Sequence, residues 1–203
     1  MQELLIASSN PGKLHEMRTI LQDLPVKLIQ PADIRLNLDV IEDGKSYEEN
    51  ARKKARAYCA ASGKVTLADD SGLEVDVLGG APGIHSARFS PKANATDRDR
   101  RDYLLEKLRG FEQPWYAHFH CSVVIVTPSG AEYVHGANCY GQIIDHERGS
   151  HGFGYDPLFF MPHLGMTTAE MEEDKKNMIS HRGLALMAAR KSLKQIFSPA
   201  NQA

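Results

Sequence analysis

Val65-Thr66-Leu67-Ala68-Asp69-Asp70-Ser71-Gly72 decides how this chain is read, because an apolar run rich in strand-forming residues ends there on two adjacent carboxylates. Its first four residues read as a strand. Upstream, Ser46 and Glu49 have capping-box spacing and Gly63 marks a helix end, so a helix delivers the chain into that strand. Nearer the N-terminus, Glu3 to Ser8 reads as a short buried strand. Leu14, Met17, Ile20 and Leu21 then share one face of a helix, and a second strand follows around Val26 to Ile29. Downstream, Leu73, Val75 and Val77 alternate with Glu74 and Asp76 as in a half-buried strand, before the loop Gly79-Gly80-Ala81-Pro82-Gly83.

Thr96 with Asp99 caps a helix running to about Leu108. Trp115 to Val126 is long, β-branched and aromatic, and the turn Thr127-Pro128-Ser129-Gly130 leads to a further strand through Tyr133 and Val134. A short acidic helix is expected over Thr168 to Asp174. Ser180 is placed to cap a C-terminal helix in which Leu186, Ala189, Leu193, Ile196 and Phe197 share a face. Helices alternating with strands early, and a hairpin later, predict an α/β protein with a central mixed β-sheet flanked by helices. Its chemistry is expected on loops at strand ends.

The chain has 203 residues, 42% hydrophobic and 25% charged, without repeats or linkers, so one domain or two closely packed lobes is expected over residues 1–203. A formal net charge of −2 argues against binding to a nucleic acid polymer. Cys59, Cys121 and Cys139 are an odd set without C-x-x-C spacing, which favours reduced thiols over disulfides or structural zinc. No apolar run approaches the ~20 residues of a membrane span, and no signal-peptide pattern opens the chain. A cytoplasmic protein with no membrane partner is expected.

Five segments have the composition of a binding site. Ser8-Ser9-Asn10-Pro11-Gly12-Lys13 is a strand-to-helix turn whose hydroxyls, glycine, helix N-terminus and lysine suit a phosphate. It is not a Walker A loop, because Leu14 follows Gly12-Lys13. Asp69-Asp70 offers oxygen ligands for a hard cation such as Mg²⁺, and Glu42 and Asp43 before Gly44 offer another. Phe153-Gly154-Tyr155-Asp156 places two aromatics that can stack on a base beside a carboxylate. Lys176 and Ser180-His181-Arg182-Gly183 put cationic groups near a helix N-terminus, where an anion or oxygen-rich ligand would relieve the conflict with the helix dipole. Each segment taken singly also has an ordinary structural reading as a capped turn or core contact. His118 and His120 share a strand face and read as structural.

Taken in order, Ser8 to Lys13, Ala68 to Leu73, Gly79 to Arg88, Gly152 to Pro157 and Ser180 to Gly183 resemble the inosine triphosphate pyrophosphatase or Ham1-like family, from about Leu4 to Phe197. The resemblance implies an α/β fold with two lobes around a substrate cleft, commonly a homodimer. It implies Mg²⁺-dependent hydrolysis of small nucleoside triphosphates, such as ITP, dITP and XTP, to monophosphate and pyrophosphate. Residue by residue, it makes Ser8, Ser9, Asn10, Pro11, Gly12 and Lys13 triphosphate-binding. Asp70 becomes the metal ligand and the proton acceptor for water, and Ser71 touches substrate. Phe153, Gly154, Tyr155, Asp156, Lys176, His181 and Arg182 complete nucleotide recognition. Two positions depart from the pattern: Ser9 stands where relatives often have glycine, and Ile41 where many carry glutamate, with Glu42 one residue later as the metal ligand offered here. A Maf-like pyrophosphatase is the nearest rival, disfavoured by the Phe153 and Ser180 segments. A non-catalytic nucleotide-binding or RNA-binding regulator would leave Asp69 and Asp70 repelling phosphate without purpose.

Overall fold

The computed structural model describes residues 2–198. Its strands β1 (Glu3–Ile6), β2 (Lys27–Ile29), β3 (Val65–Val75), β4 (Trp115–Val126), β5 (Glu132–Ile143), β6 (Phe159–Met161) and β7 (Met166–Thr167) form a seven-stranded sheet ordered β2-β1-β3-β4-β5-β6-β7. β1 pairs in parallel with β2 and β3, whereas β5–β6 and β6–β7 are antiparallel, so the sheet is mixed and flanked by helices. Parallel neighbours need crossover segments. Helices α1 (Pro11–Leu21) and α2 (Tyr47–Ser62) lie in those segments.

The chain folds as two compact units. Among the described residues the first comprises 2–70, 121–137 and 182–198, and the second Ser71–His120 and Asn138–His181. In the first unit, Leu4, Ile6, Met17, Leu67, Val123, Leu186 and Leu193 belong to one buried cluster. In the second, Leu104 and Leu108 of α3 (Asp97–Leu108) join Trp115, Leu158 and Phe159 in another. Among the described residues no helix is long and apolar enough to cross a membrane.

Local signals account for the starts of α1, α2 and α3. Asn10 caps α1 by accepting from Lys13 N, and Ser46 caps α2 by accepting from Glu49 N. The Glu49 carboxylate, however, receives Lys45 N instead of closing the box on Ser46. Thr96 and Asp99 form a complete capping box on α3.

Four expectations need correction. The strand read through Val77 ends at Val75, and Asp76–Leu78 form a 3-10 turn. Asp69 and Asp70 do not end a strand: β3 continues through them to Val75 in one 11-residue run, because pairing across the sheet carries the backbone past the polar residues. β5 extends beyond Val134 to Ile143, where Gln142 and Ile143 pair with Phe160 and Phe159. The acidic helix expected over Thr168 to Asp174 is instead a 3-10 turn at Thr168–Glu170 and a separate helix α4 (Glu173–Ile179). Extended backbone at Met171 buries that side chain in the second unit's core and interrupts the helix. The last helix, α5 (His181–Ile196), begins immediately after Ser180 as expected.

Leu193 on α5 is fully buried in the first unit's cluster. Leu193→Ala is expected to cost about 2–5 kcal/mol of stability, the range for a buried leucine truncation, read from the urea midpoint.

Candidate functional site

The first unit builds a charged group around Asp69 and Asp70. β1 ends opposite β3, with Ile6 in register with Leu67 and Ala7 N donating to Leu67 O at 2.8 Å. The turn leaving β1 therefore starts at the level of Asp69. Ser8 Oγ accepts from Asn10 N at 3.3 Å, Asn10 caps α1, and Lys13 Nζ lies 3.0 Å from Asp69 Oδ2. Arg182, on the first turn of α5, donates from Nε to the same oxygen at 3.2 Å and from Nη1 to Glu16 Oε2 at 2.5 Å. Glu16, Asp69 and Arg182 are all buried.

Burial alone would raise the pKa of Asp69, but the nearby cations Lys13, Arg182 and Lys54 outweigh it and hold the carboxylate well below its usual range. Asp69 is thus ionised and taken up by partners inside the protein. Its neighbour behaves differently. Burial pushes Asp70 above the usual carboxylate range, with Lys13, Lys54 and an Asn50 hydrogen bond at 3.1 Å acting in the opposite direction. An aspartate of raised basicity beside cations is suited to accepting a proton.

Lys54 and Asn50 come from the buried side of α2. Burial works against the charge of Lys54, yet Asp69, Glu42 and Asp70 together raise its pKa, and Glu42 Oε1 lies 3.2 Å from its Nζ. Asn50 links two pieces of the group, donating to Asp70 and accepting from Gly44 N at 2.8 Å. A Cβ on Gly44 would come within 2.6 Å of that amide oxygen, so glycine is what allows the approach.

The second unit holds the other predicted residues around Asp156. That buried carboxylate accepts from Phe153 N at 2.9 Å, Lys176 Nζ at 2.6 Å and Thr168 Oγ1 at 2.9 Å. Gly152, at φ +75°, leaves room for the ion pair, since a Cβ there would sit 2.2 Å from Asp156 Oδ2. α3 holds the same loop: Asp97 accepts from Gly154 N at 2.8 Å, and Arg101 donates to Gly154 O at 2.8 Å. The two aromatics of the loop part company. Tyr155 is buried and donates its hydroxyl to Ser86 O at 2.9 Å, while the Phe153 ring has Lys176 Nζ 5.2 Å from its centroid. Phe153 is the less buried aromatic of the pair.

The imidazole of His181 stacks on Phe119, with centroids 4.6 Å apart. Ser71 follows Asp70 within β3. His118 lies 3.4 Å from Glu74, and His120 contacts Asn138 at 2.6 Å, in keeping with structural roles. The unfavourable charge expected at the start of α5 is met, for Arg182, by ion pairs with Glu16 and Asp69. Reading the sequence missed Glu16, Asn50, Lys54, Asp97 and Arg101. For the first three the available signal was a polar side chain on a buried helix face; no local signal marked the pairing of Asp97 and Arg101 with Gly154.

Comparison with known proteins places these residues in a family context. The Ham1 family profile matches residues 4–192. A dITP/XTP pyrophosphatase of Clostridium perfringens is 42% identical, the match covering 97% of this chain and 99% of that protein. Another dITP/XTP pyrophosphatase, from Geobacter sulfurreducens, is 44% identical over 92% of this chain and 94% of its own length. Among solved structures, a HAM1 protein from Coxiella burnetii superposes with a TM-score of 0.87 at 38% identity, covering 96% of this chain and all (100%) of that one. The profile match and the near-complete coverage at this identity show that the chain belongs to the Ham1 family.

Proposed function

We propose that this protein hydrolyses non-standard purine nucleoside triphosphates, ITP, dITP and XTP, to the monophosphate and pyrophosphate, removing them from the cytoplasmic nucleotide pool. The observation that carries the reading is the contrast between two adjacent carboxylates, Asp69 neutralised by Lys13 and Arg182 and Asp70 raised in basicity beside Lys13 and Lys54. The names of the relatives support the choice of substrate.

In this reading the turn from Ser8 to Lys13 holds the triphosphate with its hydroxyls, backbone N–H groups and the Lys13 ammonium. Asp70 takes a proton from the water that attacks the α-phosphorus. The new bond is from water oxygen to α-phosphorus, the bond broken is from α-phosphorus to the bridging oxygen, and the electron pair leaves with pyrophosphate. Lys13 and Lys54 offset the charge developing on the leaving group.

The same group fits a hard divalent cation. Among the described residues no cluster of three or more His, Cys, Asp or Glu side chains is arranged to hold a metal by itself. Mg²⁺ is, however, commonly held by one or two carboxylates with substrate phosphates and water completing the shell. Asp70 and Glu42, which both act on Lys54, supply such oxygens. When bound, Mg²⁺ supplies neutralisation of the phosphate oxygens and a more acidic water. Base selection is assigned to the chemistry of Phe153, which stacks, and Lys176, whose ammonium donates toward a 6-oxo group and disfavours the adenine amino group.

ITP is expected to yield IMP and pyrophosphate in equal amounts, with kcat/KM for ITP or XTP exceeding that for ATP by roughly 10³ or more. Product chromatography checks both points, and IDP as an intermediate or comparable ATP turnover would overturn the assignment. Asp70→Asn keeps the side-chain shape and is expected to stay folded while kcat falls by about 10² or more. Steady-state kinetics on the purified variant, with circular dichroism to verify folding, measures this. Removing divalent ions with a chelator is expected to abolish turnover, and added Mg²⁺ to restore it. Full turnover in rigorously metal-free buffer would remove the ion from the mechanism.

A further inference from the structure

A groove of about 710 Å³ lies within the first unit, along α1. This volume is in the range of small-molecule sites. One wall carries Leu14, His15 and Arg18 of α1, the other the segment from Gln30 to Asn37 with Arg35, and Tyr58 of α2 adds an aromatic ring. Ser8 and Ser9 also line it, whereas Lys13, Lys54 and Asp70 do not.

The lining has a definite chemistry. Arg18 of α1 and Arg35 of the segment after β2 bring permanent positive charge to the groove, and among the described residues no carboxylate lines it, in a chain whose formal net charge is −2. Asp33 approaches Arg18 only at 3.8 Å, and its carboxylate is already engaged by Gln30 N at 3.0 Å. Arg35 sits at φ +53°, a left-handed conformation uncommon outside glycine and asparagine, so this corner of the groove carries backbone strain. The rest of the lining includes an apolar and aromatic part, Leu14, Pro31, Leu36 and Tyr58, together with the amides of Gln30 and Asn37. Guanidinium groups that bind a phosphate, next to a flat apolar surface with amide donors and acceptors, are suited to an organic phosphate with a planar ring.

We propose that this groove is a second, non-catalytic site for a mononucleotide, with Arg18 and Arg35 on its phosphate and Tyr58 against its base. It shares Ser8, Ser9 and Pro11 with the turn assigned to the triphosphate, but Arg18, Arg35 and Tyr58 lie outside that turn, and the proposal does not depend on the reaction assigned to Asp70. AMP is a suitable probe, since its adenine is the base that the proposed catalytic chemistry disfavours. Calorimetric titration of the full chain with AMP is expected to show one site with a Kd below about 1 mM. Arg18→Glu with Arg35→Glu is expected to weaken that binding by about tenfold or more, the scale of losing charge-assisted contacts, while the thermal midpoint and ITP turnover stay near wild type. Lys13→Met, which alters the catalytic turn, is expected to leave AMP affinity unchanged. Undiminished AMP binding by the double arginine variant, or its loss in Lys13→Met, would overturn the proposal. So would inorganic phosphate binding as tightly as AMP, because the groove would then select an anion alone. Failure of ITP hydrolysis would leave this result standing, since binding is measured without turnover.

Discussion

The ion pair between Lys13 and the buried carboxylate of Asp69, completed by Arg182 and Glu16, is the interaction on which the rest of the charged group depends. A carboxylate without exposed surface is tolerated as an anion only where cations and hydrogen bonds replace its water. Removing one partner from such a group typically costs about 3–5 kcal/mol, since the remaining charge is stranded in a poorly polarisable interior. The network joins α1, β3 and the start of α5, three segments far apart in the chain. Its stability and the position of Lys13 are therefore one question, not two.

That constraint also separates the roles of two adjacent aspartates. Side chains alternate along a strand, so neighbours face different surroundings. Asp69 meets Lys13, Arg182 and, at 3.9 Å, the Cys121 thiol, which burial pushes up to about 12. Asp70 meets Asn50 and feels Lys54 without being neutralised to the same degree. The difference in basicity follows from continuing β3 straight through both residues, because a turn at this point would have removed the alternation.

In the second unit Asp156 plays a comparable organising part through hydrogen bonds. It fixes Phe153 through its backbone, Lys176 through its ammonium and Thr168 through its hydroxyl. Gly152 permits the approach, and Asp97 and Arg101 of α3 hold the neighbouring peptide groups of Gly154. Phe153 and Lys176 are thereby held by hydrogen bonds, although they lie on a loop and on a short helix.

The sequence by itself determined the local features: the caps at Ser46 and Thr96, the left-handed helix end at Gly63, the long β4 strand and the family to which the chain belongs. These depend on interactions within a few residues, or on motifs whose order survives in the chain. Tertiary structure decided the rest. Which aspartate is neutralised, which aromatic of the Phe153 loop is buried, and that Arg182 meets Glu16 and Asp69 all depend on partners tens of residues away. Glu16, Asn50 and Lys54 look like ordinary polar residues of amphipathic helices until the sheet brings charges opposite them. Periodicity reports which face of a helix turns inward, but a buried charge acquires its role only from the group it meets there.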